Sequence, residues 1–224
     1  MTEAQESLAR LRRDMVDRQL RRRGISHAGL LRAFAEVPRE RFVPPDRLDE
    51  AYADHPVPIG HGQTISQPYV VALMLQELGP RQSDRVLDVG AGSGYQTALL
   101  SRLCRHVYAV ERLEALTERA AATLGDLGVS NVTFCTHDGS EGWTDEAPFD
   151  RIVCGAAGPE IPQEWIDQLA DGGRIVAPVG GPHVQTLVVV ERDGDDLHRR
   201  KLCDVRFVKL IGRSGWPEGE GAQA

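Results

Sequence analysis

A chain of 224 residues is long enough to bury a substantial core and short enough that one domain is the first expectation. Hydrophobic residues at 41% and charged residues at 26% are ordinary globular values, and a net charge of -7 argues against a broad basic face for nucleic acid. No uncharged run approaches the ~20 residues of a membrane span, the N-terminus has no apolar signal segment, and Cys104, Cys135, Cys154 and Cys203 stand apart without metal spacing, so a reducing cytoplasm is the expected compartment.

Leu8, Leu11, Met15, Val16 and Leu20 recur at helical spacing among Arg10, Arg12, Arg13, Arg18, Arg21, Arg22 and Arg23. This predicts a helix with a solvated basic face, stopped at Gly24. A second helix is predicted over 28–36, before Pro38. Pro44, Pro45, Pro56, Pro58, Gly60, Gly62 and Pro68 then discourage regular structure, and a loop this long inside a compact domain is usually functional. Beyond it, helices over 70–78, 95–103, 113–127 and 161–169 alternate with strands over 85–89, 107–110, 132–136, 152–154 and 174–178. That alternation predicts an α/β fold: a Rossmann-like, doubly wound, mostly parallel sheet with helices on both faces, behind N-terminal helices. The runs 186–191 and 197–208, joined at Asp193-Gly194, predict a closing antiparallel hairpin. The expected organisation is a single domain over 1–212: N-terminal helices and a substrate loop over 1–69, and a cofactor-binding core over 70–212. A loose tail rich in glycine and glutamate is expected over 213–224.

Val86-Leu87-Asp88-Val89-Gly90-Ala91-Gly92-Ser93-Gly94 places three alternating glycines at a strand-to-helix turn, where backbone can approach a ligand closely. The spacing is Gly-x-Gly-x-Gly rather than the Gly-x-Gly-x-x-Gly of dinucleotide binders, and no Gly-Lys-Ser/Thr ending marks a P-loop. Glu111 closes the next strand about twenty residues on, where a carboxylate can accept from both ribose hydroxyls and repel a 2′-phosphate. Asp138-Gly139 ends the third strand, placing Asp138 to meet an adenine amino group with the backbone of Gly139 beside it; a plain turn is the competing reading. Gly155-Ala156-Ala157 beyond the fourth strand either leaves room for a small transferred group or is a tight loop. Together Asp88, Gly90, Gly92, Gly94, Glu111 and Asp138 resemble the S-adenosylmethionine cradle of class I methyltransferases.

The loop Ile59-Gly60-His61-Gly62-Gln63-Thr64-Ile65-Ser66-Gln67-Pro68-Tyr69 resembles the signature of protein-L-isoaspartate O-methyltransferases. So do Val37-Pro38-Arg39-Glu40-Arg41-Phe42-Val43-Pro44, Ala51-Tyr52-Ala53-Asp54, Ala177-Pro178-Val179-Gly180 with Gln185, and Val205-Arg206-Phe207-Val208, so that the likeness covers roughly residues 15–210. The resemblance implies methyl transfer from S-adenosylmethionine, leaving S-adenosylhomocysteine, to the free α-carboxylate of L-isoaspartyl residues in damaged proteins and peptides. The ester then closes to a succinimide, whose hydrolysis returns some aspartate. By the same resemblance Ser66 is the catalytic candidate, orienting the acceptor carboxylate, and Gln63, Thr64, Ile65 and Ser66 cross the cofactor. Ile65, Ser66, Val205, Phe207 and Val208 would hold the substrate, the last segment as a sheet edge accepting extended peptide. Lys209, His137 and Gly158 depart from the family pattern. His55 and His61 have no clustered third ligand, and no metal is expected. Damaged proteins and peptides are the expected partners of a monomer that binds neither nucleic acid nor membrane. Rival readings are a methyltransferase for a specialised peptide or small-molecule carboxylate, a noncatalytic S-adenosylmethionine-binding module, and a nicotinamide oxidoreductase, the last disfavoured by the glycine spacing.

Overall fold

The structure, a computed structural model, describes residues 3–219. Helix α1 (Glu3–Asp14) continues into a π-helical stretch, Met15–Leu20, and a 3-10 turn, Arg21–Arg23, that stops at Gly24 with φ 92°. The wider π winding puts Met15 and Leu20, five residues apart, on one inward face, and both are buried with Val16. Part of the arginine row is tied down rather than solvated. Arg12 donates to the Tyr52 hydroxyl and to Glu40, each at 2.8 Å, and Arg23 pairs with Asp54 at 2.8 Å while lying over the Tyr69 ring. These contacts bind the first helix to the segment 38–56. Helix α2 (Ala28–Glu36) is capped by His27, whose Nδ1 accepts the Leu30 N–H at 3.0 Å.

The proline-rich segment is more regular than its composition suggests. After 3-10 turns at Arg39–Phe42 and Pro45–Glu50, strands β1 (Val57–Gly60) and β2 (Gln63–Ile65) form an antiparallel hairpin turned at Gly60-His61-Gly62. Val57, Ile59 and Ile65 are buried in it, the period-2 pattern of a strand with one face on a core.

The main body follows as α3 (Pro68–Leu78), β3 (Arg85–Val89), α4 (Tyr95–Leu100), β4 (His106–Glu111), α5 (Glu114–Asp126), β5 (Val132–Thr136), β6 (Phe149–Cys154), α6 (Gln163–Asp167), β7 (Leu169–Gly180), β8 (Gln185–Asp193) and β9 (Asp196–Val205). The sheet order is β5-β4-β3-β6-β7-β8-β9: five parallel strands, then an antiparallel β7-β8-β9 meander. This is the mostly parallel, Rossmann-like sheet with a C-terminal antiparallel hairpin that the sequence predicts. The order reverses between β3 and β6, the crevice where open α/β sheets bind ligands.

The two faces are covered unequally. Val86, Val107, Val153 and Val176 pack with α3, α4, α5 and the N-terminal helices, whereas Leu87, Val110, Ile152 and Ile175 pack under α6 and the C-terminal segment. Helix α6 is shorter than the predicted 161–169, because Pro162 caps it and Leu169 already pairs with Phe149 in the sheet. The predicted strand over 197–208 ends at Val205, and residues 206–208 leave the sheet. Residues 213–219, expected as part of a loose tail, pack back on the body: the Arg213 N–H donates to Asp138 at 2.7 Å and the Trp216 indole N–H to the Ala157 carbonyl at 3.0 Å. The rest of that tail, 220–224, lies outside the described residues. Among the described residues, no helix is long and apolar enough to cross a membrane.

Candidate active site

Strand β3 carries the chain to the middle of the sheet and releases it into the turn 90–94. Gly90, Gly92 and Gly94 have φ of 73°, 56° and 83°, a left-handed run that side chains resist. Gly94 is required twice over, since a Cβ there would lie 2.9 Å from that of Ala120 on α5. The N–H groups of Gly90 and Ala91 donate to the Val110 carbonyl at 2.8 and 3.2 Å, fastening the turn to the end of β4. There Glu111 is 7% exposed, and its carboxylate accepts the Gly92 N–H and the Leu113 N–H, each at 3.0 Å. Bridging the glycine turn and the start of α5 fixes the carboxylate, and Glu111 lines the adjoining cavity.

Asp88 corrects the expectation. It is fully buried, accepting from Gln96 Nε2 and Thr97 Oγ1 at 2.7 Å each, so it braces α4 against β3 instead of lining the cavity. Burial is the largest influence on its carboxyl and pushes its pKa up to about 6 from 3.8, against the two hydrogen bonds that favour the anion. Between pH 4 and 6 the folded protein therefore keeps a proton that the unfolded chain has released, and stability from this group falls as pH rises through 6. The unfolding free energy of the parent relative to Asp88→Asn should accordingly drop by about 2 kcal/mol between pH 4 and 7, read by urea denaturation. Parallel pH profiles would remove the raised carboxyl.

Asp138 is likewise committed elsewhere. One oxygen accepts the Ser140 N–H and hydroxyl at 2.9 and 2.7 Å, the other accepts the Arg213 N–H, and the side chain lines neither cavity of the site. Its neighbour Gly139 does line a cavity at the strand ends, held by the fully buried Trp165, whose indole donates to the Gly139 carbonyl at 2.9 Å.

Two cavities meet at the carboxyl ends of the strands. The first is lined by Gln63, Thr64, Gly90, Gly92, Glu111 and Gly139, joined by Arg112, Gly155, Ala156, Val208, Lys209, Leu210 and Ile211. The second, about 550 Å³, is lined by Thr64, Ser66, Val205, Phe207 and Val208, with Gly155, Arg206 and Asp204 among its other walls. Thr64, Gly155 and Val208 belong to both. Gly155 lies at the sheet's switch point: its N–H donates to the Val89 carbonyl at 2.8 Å, and a Cβ there would come within 3.0 Å of the Gly90 carbonyl oxygen.

The predicted residues thus sort by place. Gln63 and Thr64 reach the first cavity, Ser66 reaches only the second, and Ile65, expected in both roles, is buried beneath the hairpin and lines neither. Gly94 and Asp88 support the turn from behind. Outside the β-ladder, the Phe207 N–H donates to Gln185 Oε1 at 2.9 Å and the Val208 carbonyl accepts the Ala157 N–H at 2.8 Å. The Ser66 hydroxyl has no hydrogen-bond partner among the described residues and is free to donate, while its carbonyl accepts from Arg39 at 2.8 Å. A larger cavity of about 700 Å³, between the π-helical stretch and α2, contains none of these residues. Arg112, Lys209, Leu210 and Ile211 carry no sequence signal of a cavity, since only the return of the C-terminal segment brings 209–211 here. Among the described residues no group of three or more His, Cys, Asp or Glu side chains could hold a metal, and His55 Nδ1 lies 2.9 Å from the Pro56 carbonyl.

The first cavity is narrow, about 50 Å³, and what suits it to a nucleoside is the chemistry of its walls: glycine backbone at the strand ends, a fixed acidic acceptor on Glu111, and apolar Val89, Val110 and Leu210. Residues 10–215 match the family model for protein-L-isoaspartate(D-aspartate) O-methyltransferase. A protein-L-isoaspartate O-methyltransferase of Methanoregula boonei is 52% identical over 205 residues, spanning 92% of this chain and 94% of the relative. That of Desulfosudis oleivorans is 49% identical over 209 residues, spanning 93% and 95%. Among solved structures, a protein-L-isoaspartate O-methyltransferase superposes with a TM-score of 0.84 at 29% identity, over 91% of this chain and 67% of its own. A Plasmodium falciparum protein described as the same enzyme, in complex with S-adenosyl-L-homocysteine, gives 0.77 at 27% identity, over 88% and 97%.

Proposed function

The chain belongs to the protein-L-isoaspartate(D-aspartate) O-methyltransferase family, and from that membership we infer that it methylates the free α-carboxylate of L-isoaspartyl residues in damaged proteins and peptides, using S-adenosylmethionine. The observation that carries this reading is the pair of cavities sharing Thr64, Gly155 and Val208, one walled for a nucleoside and the other open for a peptide. When bound, S-adenosylmethionine supplies a methyl group on a positively charged sulfur, which becomes a neutral thioether as the acceptor oxygen takes the methyl. Gly90, Gly92, Glu111, Gly139, Gln63 and Thr64 would hold it. Glu111 accepts from the ribose, and the glycines let backbone come close.

The chain has little proton chemistry to perform. A carboxylic acid with a pKa of about 4 is already ionised at neutral pH, so no general base is needed. What remains is orientation and the removal of water. Ser66 donates its unpartnered hydroxyl to the acceptor carboxylate, and the backbone of Val205, Phe207 and Val208 holds the extended peptide beside it. We read the protein as a cytoplasmic monomer acting through one domain.

The decisive experiment compares matched peptides carrying L-isoaspartate or L-aspartate, with tritiated methyl from S-adenosylmethionine. Incorporation into the isoaspartyl peptide alone is expected. Equal labelling, or none into either, would sink the repair function and favour a specialised acceptor. Because nucleophile and leaving group are both already activated, the rate should be the same with and without EDTA. A loss that zinc or magnesium restores would overturn that account.

A further inference from the structure

Arg39 is completely buried, and among the described residues it has no ion pair. Its guanidinium lies 4.9 Å from the centre of the Tyr95 ring, and burial pulls its pKa down to about 10. One edge of the guanidinium does two things at once: Nε donates to the Ala51 carbonyl at 2.7 Å and Nη2 donates to the Ser66 carbonyl at 2.8 Å. Nη1 on the other edge and the Tyr95 hydroxyl are buried with no well-formed hydrogen bond, and only a weak side-chain interaction joins Arg39 to Tyr95. A buried cation lacking an anion, with a poorly met donor, is a liability for stability. Packing alone gives no reason to keep it here, where an apolar side chain would fill the space. What the charge obtains is a rigid fork between the 38–56 segment and the acceptor loop.

We propose that Arg39 is a positioning residue for the acceptor: by gripping the carbonyls of Ala51 and Ser66 together, it fixes the Ser66 hydroxyl at the mouth of the peptide cavity. This rests on the functional reading above, in which Ser66 orients the isoaspartyl carboxylate. The cofactor wall is built from other contacts. Glu111 and the glycine turn are fastened to β4 and α5, and Arg119 holds the β1 side of the hairpin through the Ile59 carbonyl at 2.9 Å. Arg39 therefore acts on acceptor binding and spares the cofactor. Lysine cannot replace it fully, because a single ammonium lacks the planar pair of donors that spans two carbonyls.

The test is a double-mutant cycle of Arg39→Lys with Ser66→Ala, with S-adenosylhomocysteine titration confirming that each variant is folded. Arg39→Lys should lower kcat/KM for an isoaspartyl peptide about tenfold, chiefly through a higher KM, with S-adenosylhomocysteine affinity within about twofold of the parent. In the Ser66→Ala background the same substitution should cost less than about twofold, since no hydroxyl is left to place. Arg39→Met, which removes both donors, should exceed Arg39→Lys in the parent background and be equally silent in the other. Additive losses across the cycle, or a parallel fall in cofactor affinity, would overturn the assignment while leaving the enzyme's function standing. A parent that turns over no isoaspartyl peptide would overturn both.

Discussion

Replacing Glu111 with alanine should weaken S-adenosylhomocysteine binding about a hundredfold by isothermal titration, equivalent to about 2.7 kcal/mol. Two losses combine. The ribose loses a charged acceptor, typically worth about 1.5–3 kcal/mol, and the N–H groups of Gly92 and Leu113 lose the carboxylate that holds them at 3.0 Å. The second loss loosens the glycine turn itself, so the deficit should exceed that of a simple contact. Glu111→Gln keeps the shape but turns an amide NH2, itself a donor, toward one of those two N–H groups, and should fall between parent and alanine. Unchanged affinity in a folded Glu111→Ala protein would take the residue out of the ribose site.

The Ser66→Ala variant should lose ten- to a hundredfold in kcat/KM for an isoaspartyl peptide. One hydrogen bond to a charged acceptor contributes about 1.5–3 kcal/mol, and this hydroxyl has no protein partner to release first. A covalent nucleophile would lose far more, and direct transfer to an ionised carboxylate calls for none. A rate within about twofold of the parent would reduce Ser66 to a loop residue, whereas a methylated Ser66 found by mass spectrometry would show the transfer to be indirect.

The parallel core was legible because its signals are local and strong. Glycines follow β3, β5 and β6 where the chain must turn, and Glu111 ends β4, where a side chain faces the crevice. For Asp88 the alternation of the strand outweighs the motif: it shares with Val86 the face of β3 that α4 covers, so its carboxylate meets Gln96 and Thr97. The β1–β2 hairpin was hidden by prolines and glycines flanking its alternating Val57 and Ile59. Arg39 stands in the polar run Pro38-Arg39-Glu40-Arg41, and nothing local announces that it turns inward. The segment 213–219 looked loose by composition, yet one tryptophan and a few backbone donors fasten it. Long-range pairing of this kind leaves no periodic trace.

The thin partition at Thr64, Gly155 and Val208 bears on inhibition. Two ligands that occupy adjoining cavities each lose translational freedom separately, whereas one molecule joining an adenosyl group to an acidic aspartyl-like group loses it once. With a linker no longer than the transferred carbon requires, the second half meets its cavity at an effective concentration of order millimolar or higher. Because the wall between the compartments is Gly155 backbone and two small or branched side chains, such a bridged compound needs no long or flexible spacer, and its selectivity over other nucleoside-binding enzymes would come from the peptide-facing half.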